Sequence, residues 1–530
     1  LRRINYAGPY AIRTRRKLAR HSAPVHHQLR YTINRSKAKR TSLNPQGSAT
    51  PRSASSGAIG GLKTGAQMTT QVRCGTLFAG DEIAPRTNAT MGFGDDGKIA
   101  FVCDTADAPP IGIHETLLDY SGLFVMPGLL DVHTHLAYGN AKTEEDIDLY
   151  QPMEFRALRG LFFAQKVVAA GYTSICSPGD AGQISLSVRN AINFGLFEGP
   201  RVTAAGRYLT TRQGLTDWYP TWIGVPDTSI GRLVTNKDEA IEEIRVQVKN
   251  GVDCIKLAMD GVQTREDGSL IAAFNQDETT SMVTEAHRLG KRVVVHARGQ
   301  EATLYSARAG VDLIFHATYL DDECIDAMLK TGSAIGPTMT FPRNIIDFTQ
   351  AHEPAGIKDR PSDVQREYTI ACENLQKARK AGIPMMTGTD SGFAVTPYGE
   401  WHAMELEIFV RDLGFSPAEA LRCATSVTAR FMANGARIGI LETGRLADFI
   451  AVDGSPLENI TILQDKTRIR HVHIGGKRMQ IPERSYDPRQ VTDRSWSNWT
   501  DLYTQQRVRT LYPERKHLAA PERQHLAAAQ

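Results

Sequence analysis

His133 and His135 stand one residue apart in Asp131-Val132-His133-Thr134-His135, directly after Met126-Pro127-Gly128-Leu129-Leu130. Strand side chains alternate with period two, so both imidazoles would point to one side and could bind one metal ion. The apolar run ending in Pro-Gly places the pair at the end of a buried strand. That is where α/β barrels keep their chemistry.

Metal-binding residue types recur after later apolar runs. Lys256 follows Val252-Asp253-Cys254-Ile255, His296 follows Val293-Val294-Val295, and His316 follows Leu313-Ile314-Phe315. Asp390 sits in Thr387-Gly388-Thr389-Asp390-Ser391-Gly392. Taken singly, each has a plainer role. A histidine at a strand end is more often structural, a lysine ending an apolar run usually snorkels to the surface, and Asp beside Gly and Thr usually forms a turn. His-x-His, Lys, His, His and Asp at five strand ends, in that order, is not a pattern that chance supplies.

Helical stretches alternate with short apolar runs between these residues. The pairs are 155–170 with 173–176, 237–250 with 254–257, 278–289 with 292–296, 301–309 with 313–316, 322–332 with 334–338, and 368–381 with 385–390. This alternation predicts a parallel α/β fold, a (β/α)8 TIM-type barrel over 128–432. Short strands at 72–78, 98–102 and 123–126 read as antiparallel β material. Strand character returns at 448–452 and 471–474, so a small β-sandwich built from both chain ends is expected, 68–127 plus 433–480. Residues 481–530 read as a polar tail.

The formal charge of +4 is unevenly spread. Residues 1–67 hold 14 Lys/Arg and no Asp or Glu; without them the charge is −10. An acid-free basic segment suits a transit peptide or a nucleic-acid arm. The plainer expectation is that it is disordered or lies outside the mature protein, whose first methionine is Met68, and no nucleic-acid partner is inferred. No run approaches a membrane span. Seven scattered cysteines without a CxxC pair suggest reduced thiols and a cytoplasmic protein.

From the PGLLDVHTH opening through Gly388-Thr389-Asp390 to Gly444-Arg445-Leu446-Ala447-Asp448-Phe449, residues 72–477 resemble the amidohydrolase superfamily. Ile255-Lys256-Leu257-Ala258-Met259-Asp260-Gly261 resembles the branch holding Xaa-Pro dipeptidases, ochratoxinase-like carboxypeptidases, and molinate and phenylurea hydrolases. The resemblance implies that His133, His135 and Asp390 hold one divalent ion and that His296 and His316 hold a second. Lys256, carboxylated by CO2, would bridge them. Zn2+ is the expected ion, with Co2+ or Mn2+ able to substitute. The implied reaction is hydrolysis of an amide, urea or (thio)carbamate-like C–N bond by a metal-activated hydroxide, with Asp390 shuttling the proton.

The sequence departs from the peptidase-like members at two places. Leu215 stands where a histidine is common, and Arg298 where a second histidine is frequent. Trp218, Tyr219 and Trp222 follow the third strand, which favours a hydrophobic small-molecule substrate over a dipeptide or N-acyl amino acid. Arg212 or Arg298 could instead grip a carboxylate. Tyr319 and Phe393 complete the expected pocket, with Thr338, Met339 and Phe341 behind them; His402 reads as structural. A mononuclear deaminase is disfavoured because Glu301, the first Glu after His296, is too distant. A non-catalytic metal-binding barrel remains the rival of another class. No membrane partner is expected, and a homo-oligomer is.

Overall fold

Parallel strands alternate with helices from Leu129 to Ala381 because short β-branched runs are separated by capped amphipathic stretches. Asn236 caps helix Lys237–Asn250, Asn275 forms a capping box on Gln276–Arg288, and Asp321 caps Asp322–Thr331. The structure, a computed structural model, describes residues 68–81, 84–349, 361–485 and 502–513; the basic segment 1–67 lies outside the described residues.

The parallel strands fall into two sheets. Leu129–Asp131, Tyr172–Ser177 and Arg201–Ala204 form one. The other runs Ala334–Gly336, Leu313–His316, Arg292–Ala297, Cys254–Ala258, Tyr208–Thr210, Gly231–Leu233. The strand expected over 385–390 is reduced to one bridge between Ile335 and Met385. Backbone hydrogen bonds cross the gaps between the sheets. Asp253 N donates to Ala204 O (2.7 Å), Met386 N to Ile335 O (2.8 Å), and Val132 N to Thr387 O (2.9 Å). Inside, Leu130, Cys176, Cys254, Val294, Leu313 and Met386 belong to one buried cluster, which Phe431, Met432 and Ile438 also join.

Both chain ends meet in one seven-stranded sheet. Its order is Lys477–Arg478, Ile469–Ile474, Phe449–Val452, Thr116–Pro127, Met68–Leu77, Arg86–Gly94, Ile99–Asp104. Strand pairing thus links strands from both chain ends into this one sheet. It is also mixed: Met68–Leu77 pairs antiparallel with Arg86–Gly94 but parallel with Thr116–Pro127. Strand Arg86–Gly94 carries no period-two alternation, its first three residues exposed and its last six buried, which is why it escaped notice in the sequence.

The expected polar tail is corrected in part. Residues 502–513 carry helix Gln505–Leu511, and Leu502, Tyr503, Val508 and Tyr512 are buried. Tyr503 O accepts from Trp401 Nε1 at 2.5 Å, and Tyr512 donates to Phe348 O at 2.5 Å. Val508 and Tyr512 stand one helical turn apart, and Leu502 and Tyr503 lie just before the helix.

Asp448 joins the seven-stranded sheet to the parallel strands. It is almost fully buried and accepts from Arg201 Nε (2.6 Å), Arg201 Nη2 (2.9 Å) and Gly475 N (2.6 Å). Removing one partner of such a pair strands the other. Asp448→Ala should therefore cost about 3 kcal/mol, read as a lower urea midpoint with an unchanged slope.

Candidate metal centre

His133 and His135 lie just past strand Leu129–Asp131, where the chain leaves the sheet, and Asp390 faces them from the last segment of the parallel fold. Asp390 Oδ1 is 3.3 Å from His133 Nε2 and 3.1 Å from His135 Nε2. One ligand atom from each of the three lies within 4.8 Å of the others. Both imidazoles are fixed from behind. His135 Nδ1 is 2.7 Å from Gly179 O, an acceptor only, so Nδ1 carries the proton. His133 Nδ1 is 3.2 Å from Thr338 Oγ1, whose own hydrogen goes to Gly336 O at 3.0 Å, so this Nδ1 also donates. Burial and the neighbouring His135 and Lys256 hold His133 well below the ordinary histidine range, so it is neutral. With Nδ1–H used this way in both rings, it is the Nε2 atoms that face the Asp390 carboxylate. That donor set fits a divalent cation.

Lys256, His296 and His316 line the same cavity as these three, so all six residues singled out in the sequence meet. Lys256 follows Cys254 on the inner face by simple alternation, and His296 follows Val294 likewise. His316 breaks the alternation. Phe315 takes the inner position, and a left-handed backbone at His316 (φ 69°) accompanies the turn of its imidazole toward the cavity. Such a conformation costs a non-glycine residue about 1 kcal/mol. Asp390 (φ 55°) and Thr338 (φ 58°) are held the same way. His316 Nε2 and Lys256 Nζ are buried with no hydrogen-bond partner. Burial lowers the Lys256 ammonium to about 7, and its Nζ sits 4.1 Å from the centre of the Phe315 ring. An amine so placed is available in its neutral, nucleophilic form.

Close approach is needed here. A Cβ on Gly388 would fall 2.9 Å from the His133 Cβ, and one on Gly128 only 2.1 Å from Thr173. Behind the ligands, the fully buried Asp131 accepts from His133 N (2.8 Å), Thr389 Oγ1 (2.6 Å) and His402 Nδ1 (2.7 Å). His402 is thus a support, as its sequence position suggested.

Asp260 was not foreseen. It is fully buried, its Oδ1 is 3.1 Å from His296 Nε2, and its Oδ2 accepts from Arg298 N (2.8 Å) and Gly299 N (2.6 Å). Its signal in the sequence is only its place four residues after Lys256, near the same strand end. Oδ1 itself accepts no hydrogen bond and stands as a buried carboxylate oxygen beside the His296 ring.

The cavity measures about 350 Å3. Of the expected substrate residues, Arg298, Trp218 and Phe393 line it, as do Leu215, Thr338, Met339 and Phe341. Arg212, Tyr219 and Tyr319 do not. Arg212 is exposed on a turn, Tyr319 bonds Glu367 from outside the lining, and Trp222 is 85% exposed. Glu144, Asp363, Glu367 and Tyr368 line the wall unforeseen; Asp363 and Glu367 lie on helix Pro361–Ala381, which begins seven residues earlier than its apolar periodicity indicated.

Residues 124–479 match the model of the Amidohydrolase family. The chain belongs to this family. Ochratoxinase of Aspergillus niger is 29% identical over 434 residues, covering 78% of this chain and 87% of that protein. A crystal structure of a Xaa-Pro dipeptidase with methionine bound in its active site superposes with a TM-score of 0.68 at 25% identity, over 78% of this chain and 99% of that one. Molinate hydrolase shares the fold, with a TM-score of 0.63 at 21% identity over 78% and 95% of the two chains. The fold of this amidohydrolase is thus of the TIM-barrel type, and the protein is a hydrolase of C–N bonds.

Asp260→Asn keeps the shape of the side chain but loses its charge. It should weaken metal binding 10–100-fold, measured by chelator competition, the range expected when a ligand's supporting carboxylate is lost. A second outcome concerns metal-free protein in CO2-free buffer. Lys256 titrates at about 7 when folded and 10.5 as the free side chain. The unfolded chain then binds more protons between these values, so stability should rise with pH from 7 to 10.5. Lys256→Met should stabilise the apoprotein most near pH 7 and lose that advantage by pH 11, in denaturant titrations across this range.

Proposed function

We propose that this amidohydrolase is a metal-dependent enzyme that hydrolyses an amide, urea or (thio)carbamate-like C–N bond of a hydrophobic small molecule. The reading is supported most directly by the two Nε2 atoms of His133 and His135 that face the Asp390 carboxylate. His133, His135 and Asp390 would hold one ion, and His296 and His316 a second. Lys256, as its CO2-derived carbamate, would supply an anionic bridge where an ammonium could only repel. Zn2+ suits the imidazole and carboxylate set, with Co2+ or Mn2+ as substitutes. Such ions supply the charge that acidifies water and polarises the scissile carbonyl.

The side chains of this chain do the rest. Asp390, in ion-pair distance of both histidines and open to the cavity, accepts the proton of the attacking water and returns it to the leaving nitrogen. Trp218, Ile230, Met339, Phe341 and Phe393 line the wall and favour an apolar or aryl group. The hydrogen bonds that cross the sheet gaps support a (β/α)8 barrel, whose strand ends would present all six ligands at one mouth. The seven-stranded sheet encloses its own buried cluster, including Val72, Met91, Tyr120 and Phe449, which supports the sandwich reading.

The described helices include none long and apolar enough to cross a membrane. Seven free cysteines support a cytoplasmic setting, and exposed Phe194, Leu158 and Leu196 support a homo-oligomer.

Dialysis against a chelator should abolish hydrolysis of N-aryl ureas, thiocarbamates or anilides, and Zn2+ or Co2+ should restore it. Lys256→Ala should lose at least about 100-fold in kcat and part of its bound metal, with short carboxylic acids recovering some of both. Full metal content and activity in that variant would exclude the bridge, and a metal-free, inert preparation would favour the non-catalytic barrel.

A further inference from the structure

Arg298 leaves its strand two residues after His296 and lines the cavity, the position from which a guanidinium would grip a substrate carboxylate. It is already engaged. Its Nη2 pairs with Glu367 Oε2, and the other oxygen of Glu367 accepts from the Tyr319 hydroxyl at 3.1 Å. Glu367 comes from helix Pro361–Ala381, a different part of the chain, and also lines the cavity. About a third of each partner remains exposed, so the pair forms part of the cavity wall. Tyr319 reinforces it: burial and the Glu367 charge push its phenol up to about 12, so it stays a donor.

Carboxylates outnumber the other charges of this wall. Apart from the six candidate metal ligands, the charged residues among those described around the cavity are Arg298, Glu144, Asp363 and Glu367. One cation faces three carboxylates. A substrate carboxylate reaching for Arg298 must compete with Glu367, in a wall that also carries Glu144 and Asp363. A neutral aryl or alkyl group needs no such exchange and can pack on Trp218, Ile230, Met339, Phe341 and Phe393.

We propose that Glu367 is a specificity-determining residue: by occupying Arg298 together with Tyr319, it selects substrates whose leaving portion is neutral and rejects those bearing a free carboxylate. This rests on the C–N hydrolase reading above and adds the charge class of its substrate. The residue acts by electrostatics and takes no part in bond making.

The test uses a matched pair, acetanilide and 4-acetamidobenzoate, which differ by one carboxylate on the leaving amine. Metal-loaded wild-type protein should show at least about a ten-fold higher kcat/KM for acetanilide. Glu367→Gln keeps the size of the side chain and its bond to Tyr319. It should shrink that ratio at least ten-fold by lowering KM for 4-acetamidobenzoate, and Glu367→Ala should shift it in the same direction. Adding Arg298→Gln to Glu367→Gln should cancel the gain. An unchanged ratio in both Glu367 variants, or a wild-type preference for the carboxylate, would overturn the proposal. If neither compound is turned over, the hydrolase reading fails for anilides. Calorimetry with the same pair then decides the charge question alone: a Kd ratio that moves with Glu367→Gln supports it, and one that does not rejects it.

Discussion

A buried carboxylate, Asp131, holds together the first and last segments of the parallel fold. It has no exposed surface and accepts hydrogen bonds from His133 N, from Thr389 N and Oγ1, and from His402 Nδ1. An uncompensated charge at that depth would be costly, so the partners must be in place when the protein is folded. The consequence is chemical. Residues more than 250 positions apart are clamped side by side, and Nε2 of His133 and His135 come within 3.3 and 3.1 Å of Asp390. The donors of the candidate centre are pre-arranged by hydrogen bonds among the protein's own groups.

Around this clamp the protein accepts local strain to aim its side chains. His316, Thr338 and Asp390 all adopt left-handed backbone at the ends of their strands or just beyond. The strain is small beside what surrounds it. Glu405, fully buried and raised to about 7 by that burial, binds Met339 N and Thr340 N and so fixes the turn that carries Thr338. Thr338 in turn sets the tautomer of His133. Asp260 Oδ1 lies 3.1 Å from His296 Nε2, while its Oδ2 holds Arg298 N and Gly299 N just beyond the strand end.

The cavity above the centre is assembled from distant parts of the chain. Helix Pro361–Ala381 contributes Asp363, Val364, Glu367 and Tyr368, while the loop after Thr210 contributes Leu215 and Trp218. The segment 502–513 packs on Phe348 and Trp401, next to the supporting His402, and so steadies the base of the site. The charge on the wall is therefore decided by residues that are not neighbours in sequence.

Much of this was legible in the sequence. Period-two alternation carried Lys256 and His296 inward, and the order of His-x-His, Lys, His, His and Asp was readable because each ended an apolar run. Helices announced themselves through their periodicity and their Asn and Asp caps. Strand Arg86–Gly94, the buried stretch at 502–513 and the start of helix Pro361–Ala381 were hidden, since their burial comes from partners far along the chain. The sequence by itself determined which side chains could bind a metal and at which strand ends they stood, because those follow from residue type and local periodicity. Only the tertiary structure decided that His316 turns inward against alternation, that Asp260 stands behind His296, and that Glu367 closes on Arg298. These depend on backbone handedness and on approach between distant segments, which no local pattern encodes.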